Sequence, residues 1–318
     1  MKTIITLGFV GLSLALAAQK KVVSSEAFSM EGIREIIVQG HFCQVNVIGQ
    51  ATPRLDFKGE IWHKNQSQHY IIRHQREGDV LKVWVEGNGT QSPENEEEED
   101  LEGWKKFEIS ILNGRLDFIV PQTTIVKIKN RSGRIFVQNI QADTLKLVSS
   151  SGTIRGENLS GWGYCRTQSG RMYLQGLSGE WLGISTSGTH HWEQVKGTLQ
   201  AQSRSGRVYV RQGEGQMQVE ATSGTIHLEQ IQGPLRVKTR SGRILAKDLL
   251  IAQDAAFEAA SGAIKVDFQN PLEDFQFDLK TNSGRIKVGK GPSRKQVFHN
   301  EGKIAMTGLT RSGRQRYF

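Results

Sequence analysis

Ser223-Gly-Thr-Ile-His-Leu-Glu-Gln-Ile231 and Gln232-Gly-Pro-Leu-Arg-Val-Lys-Thr-Arg240 are consecutive nine-residue units, and their alternation decides the fold. The first form reads Ser-Gly-x-φ-x-φ-x-x-φ and the second x-Gly-x-φ-x-φ-x-small-x, φ being apolar. Apolar side chains at positions 4 and 6 alternate with polar ones, the period of a strand with one buried face. Nine residues hold a strand of about five and a turn, too few for a helix and its connections. Glycine at every ninth residue would also ruin a helix.

The beat extends in both directions. Glycine holds its place from Gly152 through Gly161, Gly170, Gly179, Gly188, Gly197, Gly206, Gly215, Gly224 and Gly233 to Gly242. Ser-Gly itself recurs at Ser132, Ser151, Ser169, Ser187, Ser205, Ser223, Ser241, Ser261, Ser283 and Ser312. A fixed short period means a solenoid. The expected fold is therefore all-β: a single-chain β-solenoid of about ten coils, a rod of roughly 45–50 Å at the usual strand spacing. Two units, 18 residues, make one coil, with 36 as the alternative. Ser-Gly is followed in turn by Arg134, Thr153, Arg171, Thr189, Arg207, Thr225 and Arg243. An 18-residue coil interleaves Arg and Thr in one column, whereas a 36-residue coil stacks Arg on Arg against their repulsion, which favours 18.

The inward set should include Val208, Val210, Met217, Val219, Ile226, Leu228, Leu235 and Val237, with Arg207, Tyr209, Gln218, His227 and Arg236 outward. A column of small residues (Ser149, Thr167, Ser185, Ser203, Ala221, Thr239, Ala259, Thr281 and Thr310) suits an inward corner without room for bulk. These serines and threonines read as structural, because no His/Asp pair converges on any of them.

Three segments divide the chain. Residues 1–18 read as a secretory signal: Lys2, an apolar core from Ile4 to Ala17, and small residues at Ala17-Ala18. Residues 19–120 read as an N-terminal β cap merging into the solenoid, with strands over Ile33–Val38, Cys43–Ile48, Tyr70–Arg73, Val80–Val85 and Phe107–Ile111. Residues 121–318 form the repeat region, with Gly289 to Lys295 as a loop interrupting the last coils. The expected location is extracytoplasmic: periplasm, cell surface or secreted. Cys43 and Cys165 read as free and buried.

Several chemistries are excluded. The regular units lack the aspartate of calcium-binding nonapeptide rolls. Seven acids within residues 94–102 read as a solvated loop, since a calcium loop spaces its ligands around a glycine. His190 and His191 are adjacent on a strand and so face opposite sides, which does not suit one metal. No nucleotide, zinc-protease or other cofactor signature appears, so neither cofactor nor metal is expected. The formal charge is +9. Residues 131–250 carry 15 Lys/Arg against 8 Asp/Glu. Ordinary surface charge that keeps the rod soluble is one reading. The other is an Arg row, Arg134, Arg171, Arg207 and Arg243, flanked by Arg131, Arg204 and Arg240, that takes an acidic polysaccharide or another envelope component. Nucleic acid is disfavoured, because no aromatic row is expected beside the arginines.

The signal segment, the early strands, the Val120-Pro121 lead-in and the Ser-Gly-x-φ-x-φ units from Ser132 to Ile286 resemble exported bacterial adhesin-like families of unknown function, of the GIN head domain type. That resemblance implies a β-solenoid with a surface or adhesion role, no catalytic residues and no cofactor. Those families often place Asp after Ser-Gly, where this chain has Arg or Thr. The resulting expectation is a non-enzymatic binding or scaffolding protein of the cell envelope. The alternative is a β-helical polysaccharide lyase or glycoside hydrolase, which should break the repeat with a one-off cluster of carboxylates; none breaks it between Ser151 and Leu249.

Overall fold

The computed structural model describes residues 21–63, 70–87, 113–299 and 301–318. The signal segment, the acidic run at 94–102 and the strand expected at Phe107–Ile111 lie outside them. Among the described residues there is no α-helix, and a 3-10 turn at Leu272–Asp274 is the one helical element.

The chain runs through β1 (Lys21–Glu31), β2 (Glu35–His41), β3 (Gln44–Gln50), β4 (Arg54–His63), β5 (Ile71–Glu77), β6 (Val80–Glu86), β7 (Asn113–Pro121) and β8 (Ile125–Asn130). The repeat strands follow: β9 (Arg134–Ser149), β10 (Thr153–Thr167), β11 (Arg171–Ser185), β12 (Thr189–Gln232), β13 (Leu235–Leu249), β14 (Ala255–Phe268), β15 (Phe275–Val288), β16 (Gln296–His299) and β17 (Ile304–Tyr317). β9 to β15 and β17 each bend through a corner, so one strand contributes to two faces.

Parallel pairing stacks these strands. Thr153 lies beside Arg171, Arg171 beside Thr189 and Met217 beside Leu235, an offset of 18 residues each time. From β12 back to the corner just before it, the backbone N–H of Ser205 donates to the Thr186 carbonyl at 2.7 Å and that of Arg207 to the Gly188 carbonyl at 3.3 Å, which keeps the 18-residue stacking in register. All eight residues expected inside are buried, and the five expected outside are not. Among the described residues the buried apolar side chains, from Ile33 to Tyr317, form a single core. At about 25 cal/mol per Å² of apolar surface, that core is the main favourable term in folding.

The glycine columns have a steric cause. A β-carbon on Gly206 would sit 1.9 Å from the carbonyl oxygen of Gly188 in the neighbouring coil. Gly215 combines such a clash with Gly197, 2.2 Å, and a φ of +117°. Beside the Ser-Gly corner the small-residue column is buried, and at two of its positions the hydroxyl satisfies the bend: Ser149 Oγ accepts from Gly152 N at 3.0 Å and Thr167 Oγ1 from Gly170 N at 2.9 Å.

Another corner was not legible in the repeat. Asn139, Asn158, Gly176, Gln194, Gln212, Gln230 and Asp248 all hold left-handed φ between +54° and +67°. Each is the eighth residue of a first-form unit, where the chain turns from one face to the other. Glycine or asparagine suits that conformation, and glutamine does not.

Both ends depart from simple sequential stacking. At the N-terminal end β2 pairs in parallel with β6 and β8, and β3 with β7 and β9, so strands early in the chain stack between later ones. Antiparallel strands then close the edges, β5 on β6, and β4 between β7 and β1. β1 and β4 fall outside the expected strand set. At the C-terminal end β17 pairs with both β14 and β15, so the last strand occupies the slot between two earlier ones. The widened Ser-Gly spacing there reflects this inserted strand as well as the expected loop. β16 runs antiparallel to β15 and covers its edge over Phe277–Lys280, with a further bridge from Ile286 to Arg294, which shortens the bare edge open to another chain.

Candidate ligand-binding face

The strand segment after each Ser-Gly corner presents positions 3, 5 and 7 outward. Successive coils turn these into three columns along one face of the rod.

Position 3 carries the predicted arginines. Arg134 pairs with Thr153, Thr153 with Arg171, Arg171 with Thr189, Thr225 with Arg243 and Arg243 with Ala263. Arg207 joins the column through its bond to Gly188. Arg134, Arg171, Arg207 and Arg243 are exposed, with Thr between them, so successive guanidinium groups stand two rungs apart, about 10 Å. Among the described residues no carboxylate forms an ion pair with any of the four. The flanking set divides. Arg204 and Arg240 are exposed across the corner from the row. Arg131 is four rungs from Arg204, at the junction with the N-terminal strands, where its backbone N–H donates to His41 carbonyl at 2.8 Å. There burial, with Arg131 and Lys129 adding to it, lowers the His41 pKa to about 4.

Position 5 overturns the expectation that no aromatic row accompanies the arginines. Tyr173, His191, Tyr209 and His227 stack in sequence, with ring centroids 4.8, 4.6 and 4.7 Å apart and interplanar angles of 11°, 5° and 13°. His191 and Tyr209 have both faces stacked on neighbouring rings, whereas Tyr173 and His227, at the two ends, have one face each in the stack. Along its middle the ladder therefore offers phenol hydroxyls and imidazole nitrogens rather than free π faces. Both imidazoles titrate below the ordinary histidine range. Burial is the main cause for His191, with Arg171 adding to it and Glu193 opposing. Burial and then Arg207 act on His227. Four residues at an 18-residue spacing were the available signal, obscured because tyrosine alternates with histidine.

Position 7 supplies Glu193, Arg211 and Glu229. Arg211 Nε lies 3.5 Å from the Glu229 carboxylate on the next rung. A shallow groove runs between the ladder and this column, lined by His191, Tyr209, His227, Glu193, Arg211 and Glu229. Arg/Tyr/Arg on one coil thus alternates with Thr/His/Glu on its neighbours. The arrangement can accept anions along one side and hydroxyl donors along the other.

His190 points the opposite way from His191, into the core, where it is fully buried beside Trp192. Its pKa is lowered to about 3, chiefly by burial and secondarily by His191. Neither ring nitrogen has a hydrogen-bond partner among the described residues. Cys43 and Cys165 are free and buried, and burial pushes both thiols up. Among the described residues no group of three His, Cys, Asp or Glu side chains is placed to hold a metal ion, and no helix is long and apolar enough to cross a membrane.

No curated protein matches this chain in sequence. A crystal structure of a "putative cell adhesion protein" from Clostridium sporogenes aligns over 92% of this chain and 97% of its own, at 8% identity and a TM-score of 0.27. That score carries no argument about this chain. Residues 93–317, more than two thirds of the chain, match the family described as Toastrack DUF4097. The described residues of that stretch are all-β and include the stacked Ser-Gly units, and the chain belongs to the Toastrack DUF4097 family.

Proposed function

We propose that this chain is a non-enzymatic, adhesin-like binding or scaffolding rod that acts outside the cytoplasm and lays an acidic polysaccharide along the face after the Ser-Gly corners. The observation that carries this reading is the row Arg171, Arg207 and Arg243, exposed, without carboxylate partners among the described residues and in register at two-rung intervals. Arginine donates two parallel hydrogen bonds to a carboxylate or sulfate. The ladder edges add donors beside each guanidinium, and Glu193 and Glu229 accept from sugar hydroxyls. A chain of sugars bearing an acid at intervals meets all three columns at once. Nucleic acid fits less well, because its bases need ring faces and the two inner rings of the ladder spend theirs on their neighbours.

The 18-residue pairing offset supports a reading of one coil per Ser-Gly repeat. The antiparallel strands at the N-terminal edge support a cap there. Residues 1–18 supply the export signal in this reading, which places the mature rod in the periplasm, at the cell surface or in the medium. Titration with alginate or heparin fragments of increasing length tests the binding. Affinity should rise with length, because linked contacts share one entropic cost, and fall with salt. Replacing Arg171, Arg207 and Arg243 together with Gln should remove it; unchanged affinity in that variant would make the row structural.

A further inference from the structure

We propose that the C-terminal end of the same face holds a second, separate site, for closely spaced phosphate groups, built from Lys265, Arg285, Lys287, Arg314 and Arg316. It does not rest on the polysaccharide reading.

The alternation that keeps cations apart along the rod stops here. From Arg134 to Ala263 no two arginines at position 3 sit on adjacent rungs. Beyond Ala263, Arg314 pairs directly with Arg285. Position 5 does the same over three rungs: Lys265 pairs with Arg316, and Arg316 with Lys287. The intervening Ile264, Gln315 and Ile286 are buried, so the cationic positions face outward together. Lys265, Arg285, Arg314 and Arg316 are exposed and Lys287 is partly so.

Like charges directly opposite on paired strands repel. Elsewhere on the rod such positions are relieved by threonine or by carboxylates on the next strand, as in Arg211–Glu229 and Lys238–Glu258. Among the described residues no ion pair involves any of these five, although Lys265 Nζ lies 5.7 Å from the Phe318 ring centre. Among positions 3, 5 and 7 of these three rungs the one acidic side chain is Asp267, at position 7 of the β14 rung; the next two rungs carry Phe318 and Gly289 there. The cluster is a product of topology. Arg285 and Lys287 would adjoin Ala263 and Lys265 if the strands stacked in chain order; the insertion of β17 places two further arginines between them.

Anions bound here must be as close together as the cations. Adjacent rungs are about 4.8 Å apart. A polyuronate carries one carboxylate per sugar ring, which suits the two-rung arginine row. Linked phosphates, or one phosphate monoester with two charges, match a denser array, and three arginines supply paired donors for their oxygens.

The test uses the mature full-length chain and tripolyphosphate, with sulfate at equal ionic strength as the comparison. Tripolyphosphate should raise the melting temperature and bind at least tenfold more tightly than sulfate. Arg285→Gln with Arg314→Gln should weaken tripolyphosphate binding at least tenfold, and without ligand should melt no lower than the parent, since a repulsion is removed. Lys265→Gln with Lys287→Gln provides an independent pair with the same expected loss. Arg171→Gln with Arg207→Gln should bind tripolyphosphate as the parent does, which separates this site from the polysaccharide row. Phosphatidylcholine vesicles with and without phosphatidic acid separate the sources. Tripolyphosphate binding alone assigns a soluble or polymeric phosphate; binding to the phosphatidic acid vesicles as well, lost in the same variants, adds a lipid head group. Tripolyphosphate binding no better than sulfate, or unaltered in both cluster variants, overturns the proposal.

Discussion

Replacing His190 with methionine should stabilise the rod, and more so in acid. His190 fills an inward slot whose counterpart in the preceding coil is Met172, so methionine fits the same column. The imidazole is fully buried with both nitrogens unpartnered. An unsatisfied buried polar group costs about 1–3 kcal/mol, and that is the gain expected at neutral pH. The acid contribution follows from the pKa of about 3 in the folded chain against 6.5 for an ordinary histidine. The unfolded chain takes up this proton below about pH 6.5, whereas the folded chain resists it until about pH 3. Stability is therefore complete above pH 6.5 and declines as pH falls between these values; linkage gives a loss of about 3 kcal/mol by pH 4.5. Methionine has no proton to take up and removes this loss. Urea unfolding of parent and variant at pH 7 and pH 4.5 measures both contributions, with hydrogen exchange in β11 and β12 locating them. His41, with a pKa near 4, leaves a residual acid sensitivity in both proteins. If the two proteins lose the same stability between the two pH values, the buried-imidazole reasoning is wrong.

Gly206→Ala should destabilise by more than about 3 kcal/mol in urea melts, because the new methyl meets a backbone oxygen that moves only if two coils separate; a cost under 1 kcal/mol would refute the close-approach account. Gln212→Gly should instead stabilise by about 0.5–1 kcal/mol, the left-handed strain it relieves exceeding the added chain entropy, and Gln212→Ala should show no such gain. Alginate-fragment affinity should rise as pH falls below the ordinary histidine range, because protonation of His191 and His227 places two more cations between the arginines. His191→Gln with His227→Gln should flatten that pH profile while leaving the neutral-pH affinity within about twofold, and an unaltered profile would assign the effect to the ligand or to Glu193 and Glu229.

The solenoid was legible because its cause is local and repeated. Period-2 burial at positions 4 and 6, and a glycine wherever two backbones touch, recur too often to describe anything else. Inward Val208 and Val210, outward Arg207 and Tyr209, and the buried small-residue corner follow from that periodicity alone. The aromatic ladder lies in the same register but is not legible as a row, since tyrosine and histidine share a shape rather than a class. The left-handed column is illegible for a different reason: Gln194, Gln212 and Gln230 defy the local preference and are held there by the stacked coils on either side. What tertiary structure alone decided is the order of coils at the two ends. Insertion of β2 and β3 between later strands, and of β17 between β14 and β15, depends on long-range backbone pairing. Every Ser-Gly unit offers the same hydrogen bonds and a nearly equivalent apolar face, so a repeat cannot specify which copy it stacks against. The arginine row, one arginine on every second Ser-Gly repeat in chain order, was therefore readable from sequence, whereas the cation cluster of Arg285, Arg314 and Arg316 exists only because the last strand returns to an inner slot.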